Sequence, residues 1–135
     1  MKPSPEQLAS VPLLASLTSE QLESIATLTE LRHEPEGMVL VGEGAPGFLL
    51  FILLEGSAEV TSGGNALAEL GAGDFFGEIA LLGSEKRRTA TVTATSPVTL
   101  AVMYGSDFRV FERGWPEAAS LMMQSIAERL DRTPD

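Results

Sequence analysis

The sequence predicts a mainly β fold, a sandwich, roll or barrel of short strands with helices at both ends. From Glu34 onward, Gly, Pro, Ser and Asn recur between short apolar runs, which is the spacing of antiparallel strands joined by tight turns. On either side of that region, apolar residues recur at helical spacing behind residues that favour helix starts. The length of 135 residues fits one domain with one core.

The first organised element is a helix in the stretch LTSEQLESIATL. Thr18 and Gln21 have the spacing of a capping box, and Leu17 and Leu22 have the spacing of a hydrophobic staple. Both signals therefore place the helix start at the same point. The apolar face of the helix comprises Leu22, Ile25 and Ala26.

The apolar runs of the middle region are predicted to form six strands. Segments rich in Gly, Pro and Ser, such as PEGM and GAGD, separate these runs and supply the turns. His33, the only histidine, is expected on an exposed strand or its edge. The predicted strands are Met38–Val41, Phe48–Leu54, Ala58–Ser62, Ala66–Leu70, Thr89–Thr95 and Val98–Tyr104.

Two helices are predicted at the C-terminus. Ser106 is the expected cap of a short helix that runs through Glu112, and Pro116 is well suited to be the first residue of a longer one. One apolar stripe follows the longer helix, and packing of this stripe on the β region is favoured for the unliganded state. The stripe comprises Ala119, Met122, Met123, Ile126 and Leu130.

The composition excludes several classes of function. The formal net charge of -10 repels polyanions, so nucleic-acid binding by this chain is not expected. The absence of cysteine excludes disulfides and thiolate metal sites, and the cytoplasm is the default location. The longest apolar run, Phe48–Leu54, is far shorter than the roughly 20 residues of a spanning helix, so no membrane contact by this chain is expected.

Catalytic and metal signatures are missing from the sequence. A single histidine is too few for a 2-His-1-carboxylate centre, and neither GxSxG, nor a P-loop, nor metal-ligand spacing is found. The stretch GAGDFFG lacks the βαβ context of a dinucleotide fingerprint. We therefore expect no catalytic residue, no metal and no cofactor, and we do not expect an enzyme.

Positive charge is concentrated at one place in the β region, Lys86, Arg87 and Arg88. In the following TATVTAT, threonine alternates with alanine and valine, which indicates a strand with one hydroxyl face and one apolar face. Extending that alternation backwards puts Arg88 on the apolar face. An inward guanidinium needs an anionic partner, because a buried unpaired charge costs several kcal/mol.

The preceding stretch GDFFGEIALLG offers the other half of an anion site. Gly77 permits close backbone approach, and residues 78–82 are long enough for about one and a half helical turns. The first NH groups of such a turn favour a phosphate, and Arg88 facing them would complete its binding. Glu78 would then accept a hydrogen bond from a hydroxyl of a sugar phosphate. A purine base would need an apolar surface beside it, for which Leu67 and the C-terminal helix are candidates.

The residues FGEIALL followed by RRTATV resemble the phosphate-binding cassette of cyclic nucleotide-binding domains. The resemblance extends to VPLLASLTSEQLESIATL, PEGMVLVGEGAPG, FILLEGSAEV, SDFRVF and PEAASLMMQSIAERL, and so covers nearly the whole chain. It implies an eight-stranded antiparallel β-roll, or jelly roll, with an N-terminal helix, a short cassette helix and two C-terminal helices. The implied segments are 1–33 (helical), 34–105 (the roll, with the cassette at 76–92) and 106–135 (helical), all within one domain, 1–135.

The resemblance also implies roles for individual residues. Glu78 would accept a hydrogen bond from the ribose 2'-hydroxyl, and Arg88 would pair with the cyclic phosphate. Arg87 precedes the motif arginine, which assigns Arg87 to the surface. The sequence departs from the family pattern in two ways, since the loop GSEKR is one residue longer than usual and Arg87 replaces a common proline. The phosphate cradle would comprise Gly77, Ile79 and Ala80, with further contacts from Thr89 and Ala90.

The function implied by the resemblance is that of a regulatory module that senses a cyclic nucleotide. The ligand would be cAMP, with cGMP left open by the hydroxyl of Thr89, and Met122, Met123 and Ile126 would cap its base. Movement of the C-terminal helices would pass binding on to an effector, either within a longer chain or on a separate protein. A homodimer is left open. The alternative is a β-roll that serves as a scaffold or interaction domain and no longer binds nucleotide.

Overall fold

Within the residues that the structure describes, eight strands form two four-stranded antiparallel sheets, which confirms the predicted mainly β fold. The computed structural model describes residues 1–45, 49–77 and 90–132, with side chains as far as Gln124. In chain order the strands are β1 (Glu30–Glu34), β2 (Val39–Val41), β3 (Leu49–Glu55), β4 (Ala58–Ser62), β5 (Asn65–Leu70), β6 (Phe75–Phe76), β7 (Thr91–Ala94) and β8 (Val98–Tyr104).

The two sheets differ in what covers them. The first sheet has the order β1-β8-β3-β6, and the second has the order β2-β7-β4-β5. Helices cover the outer side of the first sheet, where the third helix packs on β8 and on the second and fourth helices. The helices in the described ranges are α1 (Pro5–Ala9), α2 (Ser19–Leu28), α3 (Gly105–Gly114) and α4 (Pro116–Arg132), and a 3-10 turn lies at Pro12–Leu14.

Strands β3 and β8 are buried on both faces, which explains the long apolar run in the middle of the sequence. Leu50 and Ile52 belong to a cluster shared with the helices, whereas Phe51 and Leu53 belong to a second cluster inside the roll. Alternation along the strand produces this division, since successive side chains point to opposite faces. The first sheet therefore separates two apolar clusters.

The cluster on the helical side joins elements from both ends of the chain. Leu8 of α1 and Leu14 of the 3-10 turn are fully buried there beside Phe108 of α3. Met122 of α4 is also in this cluster at 2% exposure, and Met123 packs against it. This position agrees with the packing expected for the apolar stripe in the unliganded state.

Two expectations about element boundaries need correction, and two elements were not predicted. Strand β1 begins at Glu30 and pairs with β8, so the first sheet reaches into the segment interpreted as helical, 1–33. Helix α3 begins at Gly105 without a side-chain cap, so Ser106 lies in its first turn and does not cap it. Helix α1 and strand β6 were not predicted.

Two expectations, for His33 and for the start of the last helix, are confirmed. His33 is exposed on the edge strand β1, where its Nδ1 lies 3.1 Å from Thr99 Oγ1. Helix α4 begins at Pro116. Within the described ranges, no helix is both long enough and apolar enough to cross a membrane.

The start of α2 is fixed by the predicted capping box. The Gln21 N–H donates to Thr18 Oγ1 at 3.2 Å, and the Thr18 N–H donates to Gln21 Oε1 at 3.0 Å. Leu17 and Leu22, which have the staple spacing, are both buried in the helical cluster. Local sequence therefore sets this boundary.

We expect Thr18→Ala to lower the free energy of unfolding by about 1 kcal/mol, because an orphan N–H at the start of α2 loses its acceptor. Thr27→Ala is the matched control. Thr27 is exposed near the other end of the same helix, where its hydroxyl donates only to the Glu23 carbonyl. Urea unfolding of both variants measures the difference, and equal midpoints would contradict a capping role for Thr18.

Candidate functional site

One anchor of the candidate site is strand β6 at the edge of the first sheet. The Phe76 ring stacks on the Phe51 ring, with centroids 4.9 Å apart and planes 5° apart. Both rings are nearly fully buried in the roll cluster. Gly77 follows directly with φ of 76°, a conformation that side-chain-bearing residues rarely adopt. A buried aromatic pair thus fixes the point at which the chain turns away from the sheet.

The turn before β6 is held by a side chain that the sequence interpretation missed. Asp74 Oδ2 accepts from the Gly71 N–H at 2.8 Å, and the Asp74 carbonyl accepts from the Leu53 N–H at 2.8 Å. Aspartate favours such local bonds to nearby backbone donors, so the residues GAGD were the signal. This turn sets the position of β6 against β3.

The second anchor is strand β7, which lies between β2 and β4 in the second sheet. Val92 and Ala94 are buried in the roll cluster, whereas Thr91 and Thr93 are only partly buried. This pattern confirms the two faces predicted from TATVTAT. Ala90, partly buried, lies directly before the strand.

The stretch between the two anchors joins the edge of the first sheet to a central strand of the second. Gly77 and Ala90 lie at its two ends. The other predicted phosphate and ribose contacts lie outside the described residues, and these are Glu78, Ile79, Ala80, Arg88 and Thr89. The fold therefore holds both ends of the predicted cassette in buried structure.

Leu67, the predicted apolar wall, lies on the edge strand β5. Pairing of β5 with β4 is interrupted there, since Ala68 pairs with Val60 and Ala66 pairs with Thr61. Leu67 is the extra residue, and it is 41% exposed. A bulge of this kind re-aims a side chain and is frequent beside binding sites.

The predicted base-capping residues lie on α4. Met122 is packed in the helical cluster, on the opposite side of the first sheet from the roll interior. Met123 is partly buried against the same cluster, and the side chain of Ile126 lies outside the described residues. Contact between these residues and a base in the roll therefore needs a rearrangement of α4.

A separate cavity of about 370 Å³ opens beside β1. Two of its charged groups, Lys2 and Glu30, already form an ion pair, with Lys2 Nζ 2.7 Å from the Glu30 carboxylate, and the N-terminal ammonium lies 3.3 Å from the same carboxylate. Hydrogen bonds from Lys2 and then from the N-terminus lower the pKa of Glu30. A polar ligand would compete with these pairs, which makes the cavity a weaker candidate. Its lining comprises Lys2, Thr27, Leu28, Glu30, Arg32, Leu49, Val102, Tyr104 and Asp107.

Comparison with known proteins agrees with this geometry. Residues 31–112 match the model of the cyclic nucleotide-binding domain. A cyclic nucleotide-gated potassium channel of Rhizobium etli is 35% identical over 127 residues, which is 94% of this chain and 35% of the channel. The chain thus spans about a third of that relative's length.

Two solved structures extend the agreement to three dimensions. A putative cyclic nucleotide-binding protein from Geobacter metallireducens superposes with a TM-score of 0.83 at 28% identity, over 97% of this chain and 98% of that one. The regulatory domain of Toxoplasma gondii PKA, in co-crystal with cAMP, has a TM-score of 0.79 at 25% identity over 93% of this chain and 49% of that one. With the family model covering more than half of its residues, this chain belongs to the cyclic nucleotide-binding domain family.

Proposed function

We propose that this domain binds cAMP through the stretch between Gly77 and Ala90 and relays binding through its C-terminal helices. The observation that carries the proposal is the double anchoring of this stretch. It leaves the first sheet at a glycine with positive φ behind a stacked aromatic pair, and it enters the second sheet at a central strand. Fixed ends favour binding, because less conformational freedom is lost when the ligand is held.

In this proposal the backbone NH groups of Gly77, Ile79 and Ala80 and the guanidinium of Arg88 share the cyclic phosphate. A planar guanidinium suits a phosphate because it can donate two parallel hydrogen bonds. The surrounding charge makes the arginine necessary, since a chain of net charge -10 otherwise repels an anionic ligand. Thr89 and Ala90 add contacts from a hydroxyl and a backbone NH.

Glu78 determines which anions are accepted. Its carboxylate repels a bare phosphate but accepts a hydrogen bond from the ribose 2'-hydroxyl, so it selects a nucleotide that has this hydroxyl. The base would rest against Leu67, an exposed apolar side chain at the bulge in β5. The preference between cAMP and cGMP depends on whether the Thr89 hydroxyl binds the phosphate alone or also the amino group of guanine.

The relay requires α4 to move. Met122 is buried in the helical cluster, and α4 packs against α3 and the 3-10 turn. Binding can shift α4 only if the ligand has a higher affinity for the displaced arrangement, by a few kcal/mol for a nearly complete shift. Methionine suits both arrangements, because its flexible side chain repacks readily.

Titration with cAMP and with cGMP in a calorimeter tests binding. We expect saturable heat with cAMP and a rise in the melting temperature, because a ligand that binds only the folded state stabilises it. 2'-Deoxy-cAMP is the matched control ligand for Glu78, and it should bind more weakly. Absence of heat and of any thermal shift at millimolar cAMP would favour the alternative scaffold function.

The relay has a built-in reporter, the single tryptophan, Trp115. Trp115 lies at the junction between α3 and α4 and packs partly buried against the helical cluster. We expect saturating cAMP to shift its emission maximum as α4 moves. Saturable heat without any change in Trp115 emission would retain the binding function and refute the relay.

A further inference from the structure

One end of the second sheet contains a hydrogen-bonded bridge that crosses the start of β7. There, β2 ends at Val41, β7 begins at Thr91 and β4 ends at Ser62. The register places these ends together, since Val41 pairs with Val92 and Thr61 pairs with Thr91. The loop after β2 and the β4–β5 hairpin therefore flank the point where the cassette stretch enters the sheet.

Glu43 links the two flanking loops. Its backbone N–H donates to Thr91 Oγ1 at 3.0 Å, and its Oε1 accepts from the Gly63 N–H at 3.1 Å. The first bond fixes the loop to β7, and the second fixes it to the tip of the hairpin. One exposed residue thus connects β2, β7 and β4 beyond the end of their ladder.

We propose that Glu43 is a positioning residue for the phosphate contact. Thr91 comes three residues after Arg88, with Thr89 and Ala90 between them. The bridge holds Thr91 against both neighbouring strands before the ligand arrives, and so fixes the C-terminal end of the predicted cassette. This inference rests on the proposed cAMP binding, to which it adds a residue from a different loop.

Substitutions that break the Glu43 bridge are expected to weaken cAMP binding without unfolding the protein. Both hydrogen bonds of Glu43 are exposed, so loss of either should leave the fold intact. Glu43→Ala removes the side-chain bond to Gly63, whereas its backbone N–H can still donate to Thr91. Loss of preorganisation should weaken cAMP binding about three- to ten-fold in Glu43→Ala. Glu43→Gln keeps an acceptor oxygen for the Gly63 N–H and should restore most of the affinity. Thr91→Val removes the other acceptor and should weaken binding in the same direction.

Glu69→Ala is the matched control for charge. Glu69 is exposed on β5 of the same sheet, and its carboxylate forms no hydrogen bond within the described part of the chain. Its removal changes the net charge by the same amount as Glu43→Ala but should leave the affinity unchanged. If both alanine variants weaken or strengthen binding equally, charge is the cause and the positioning role is refuted.

The experiment combines calorimetry with the amide NMR signal of Gly63 in the unliganded protein. We expect Glu43→Ala to shift this amide proton upfield and to accelerate its exchange, with recovery in Glu43→Gln. An unchanged Gly63 amide would overturn the bridge itself, whether or not nucleotide binds. If the wild-type protein and Glu43→Ala bind cAMP with equal affinity, only the positioning role is overturned. If the wild-type protein does not bind cAMP, the proposed function and this inference are overturned together.

Discussion

Replacement of Arg88 by alanine is expected to weaken cAMP binding by about 3 kcal/mol or more, which corresponds to about 150-fold in the dissociation constant. The cyclic phosphate would keep its backbone donors but lose the only charged partner that the family resemblance assigns to it. Removing one member of a desolvated ion pair has a large effect, because the other charge remains unpaired. Calorimetric titration with cAMP measures the loss.

Two further arginine variants make this result specific. Arg87→Ala should be nearly silent, because strand alternation assigns Arg87 to the solvated face. Arg88→Lys should give an intermediate loss, since lysine keeps the charge but cannot donate two parallel hydrogen bonds. Equal losses in Arg87→Ala and Arg88→Ala would mean that the inward position has been assigned to the wrong residue.

Replacement of Gly56 by alanine is expected to destabilise the fold by about 3 kcal/mol or more. Gly56, in the turn between β3 and β4, has φ of 95°, and a Cβ atom there would lie 2.4 Å from the Pro97 carbonyl oxygen. That oxygen belongs to the residue directly before β8, and it also accepts from the Ser96 hydroxyl at 3.0 Å. Relief of the clash would therefore displace a strand that is buried on both faces.

Gly37→Ala separates the steric contribution from backbone strain. Gly37 has nearly the same φ, 90°, but a Cβ atom there would meet nothing within 4 Å. This variant should lose only about 1 to 2 kcal/mol, the cost of a left-handed conformation with a side chain. Urea unfolding of both variants gives the comparison. Similar losses at the two positions would show that the contact with Pro97 is not what makes Gly56 necessary.

The fold was predictable where local signals agreed with one another. Thr18 and Leu17 pointed to the same start for α2, and Pro116 marked the start of α4. Helix α1 was equally predictable, because Ser4 and Gln7 form a capping box with Pro5 at the first helical position. The residues SPEQ were the signal, and the interpretation missed it.

Strands β1 and β6 were harder to predict for physical reasons. Glu30, Arg32 and Glu34 are charged, so β1 has the composition of an exposed loop, and it is a strand because it pairs with β8 at an open edge. Strand β6 has only two residues, Phe75 and Phe76, too few for a period to appear. Tertiary pairing determines both strands.

The features of the candidate site also fall into those that a short stretch of sequence predicts and those that only the folded chain brings together. The conformational need for Gly77 and the two faces of β7 follow from short stretches of sequence. The bonds of Glu43 join it to residues 20 and 48 positions away, so no local pattern contains them. The motif predicts the residues expected to bind the ligand, whereas the contacts of Glu43 are visible only in the folded chain.

The burial of β3 and β8 on both faces gives the two apolar clusters a common wall. Phe51, which stacks on the ring just before Gly77, has as its chain neighbours Leu50 and Ile52, which pack among the helices. The span between the proposed ligand site and the helices would then be one sheet, about 10 Å. In the proposed relay, a shift of the Phe76 ring on the roll side of this wall would reach the helices through adjacent residues of β3, without a chain of intermediaries across the protein.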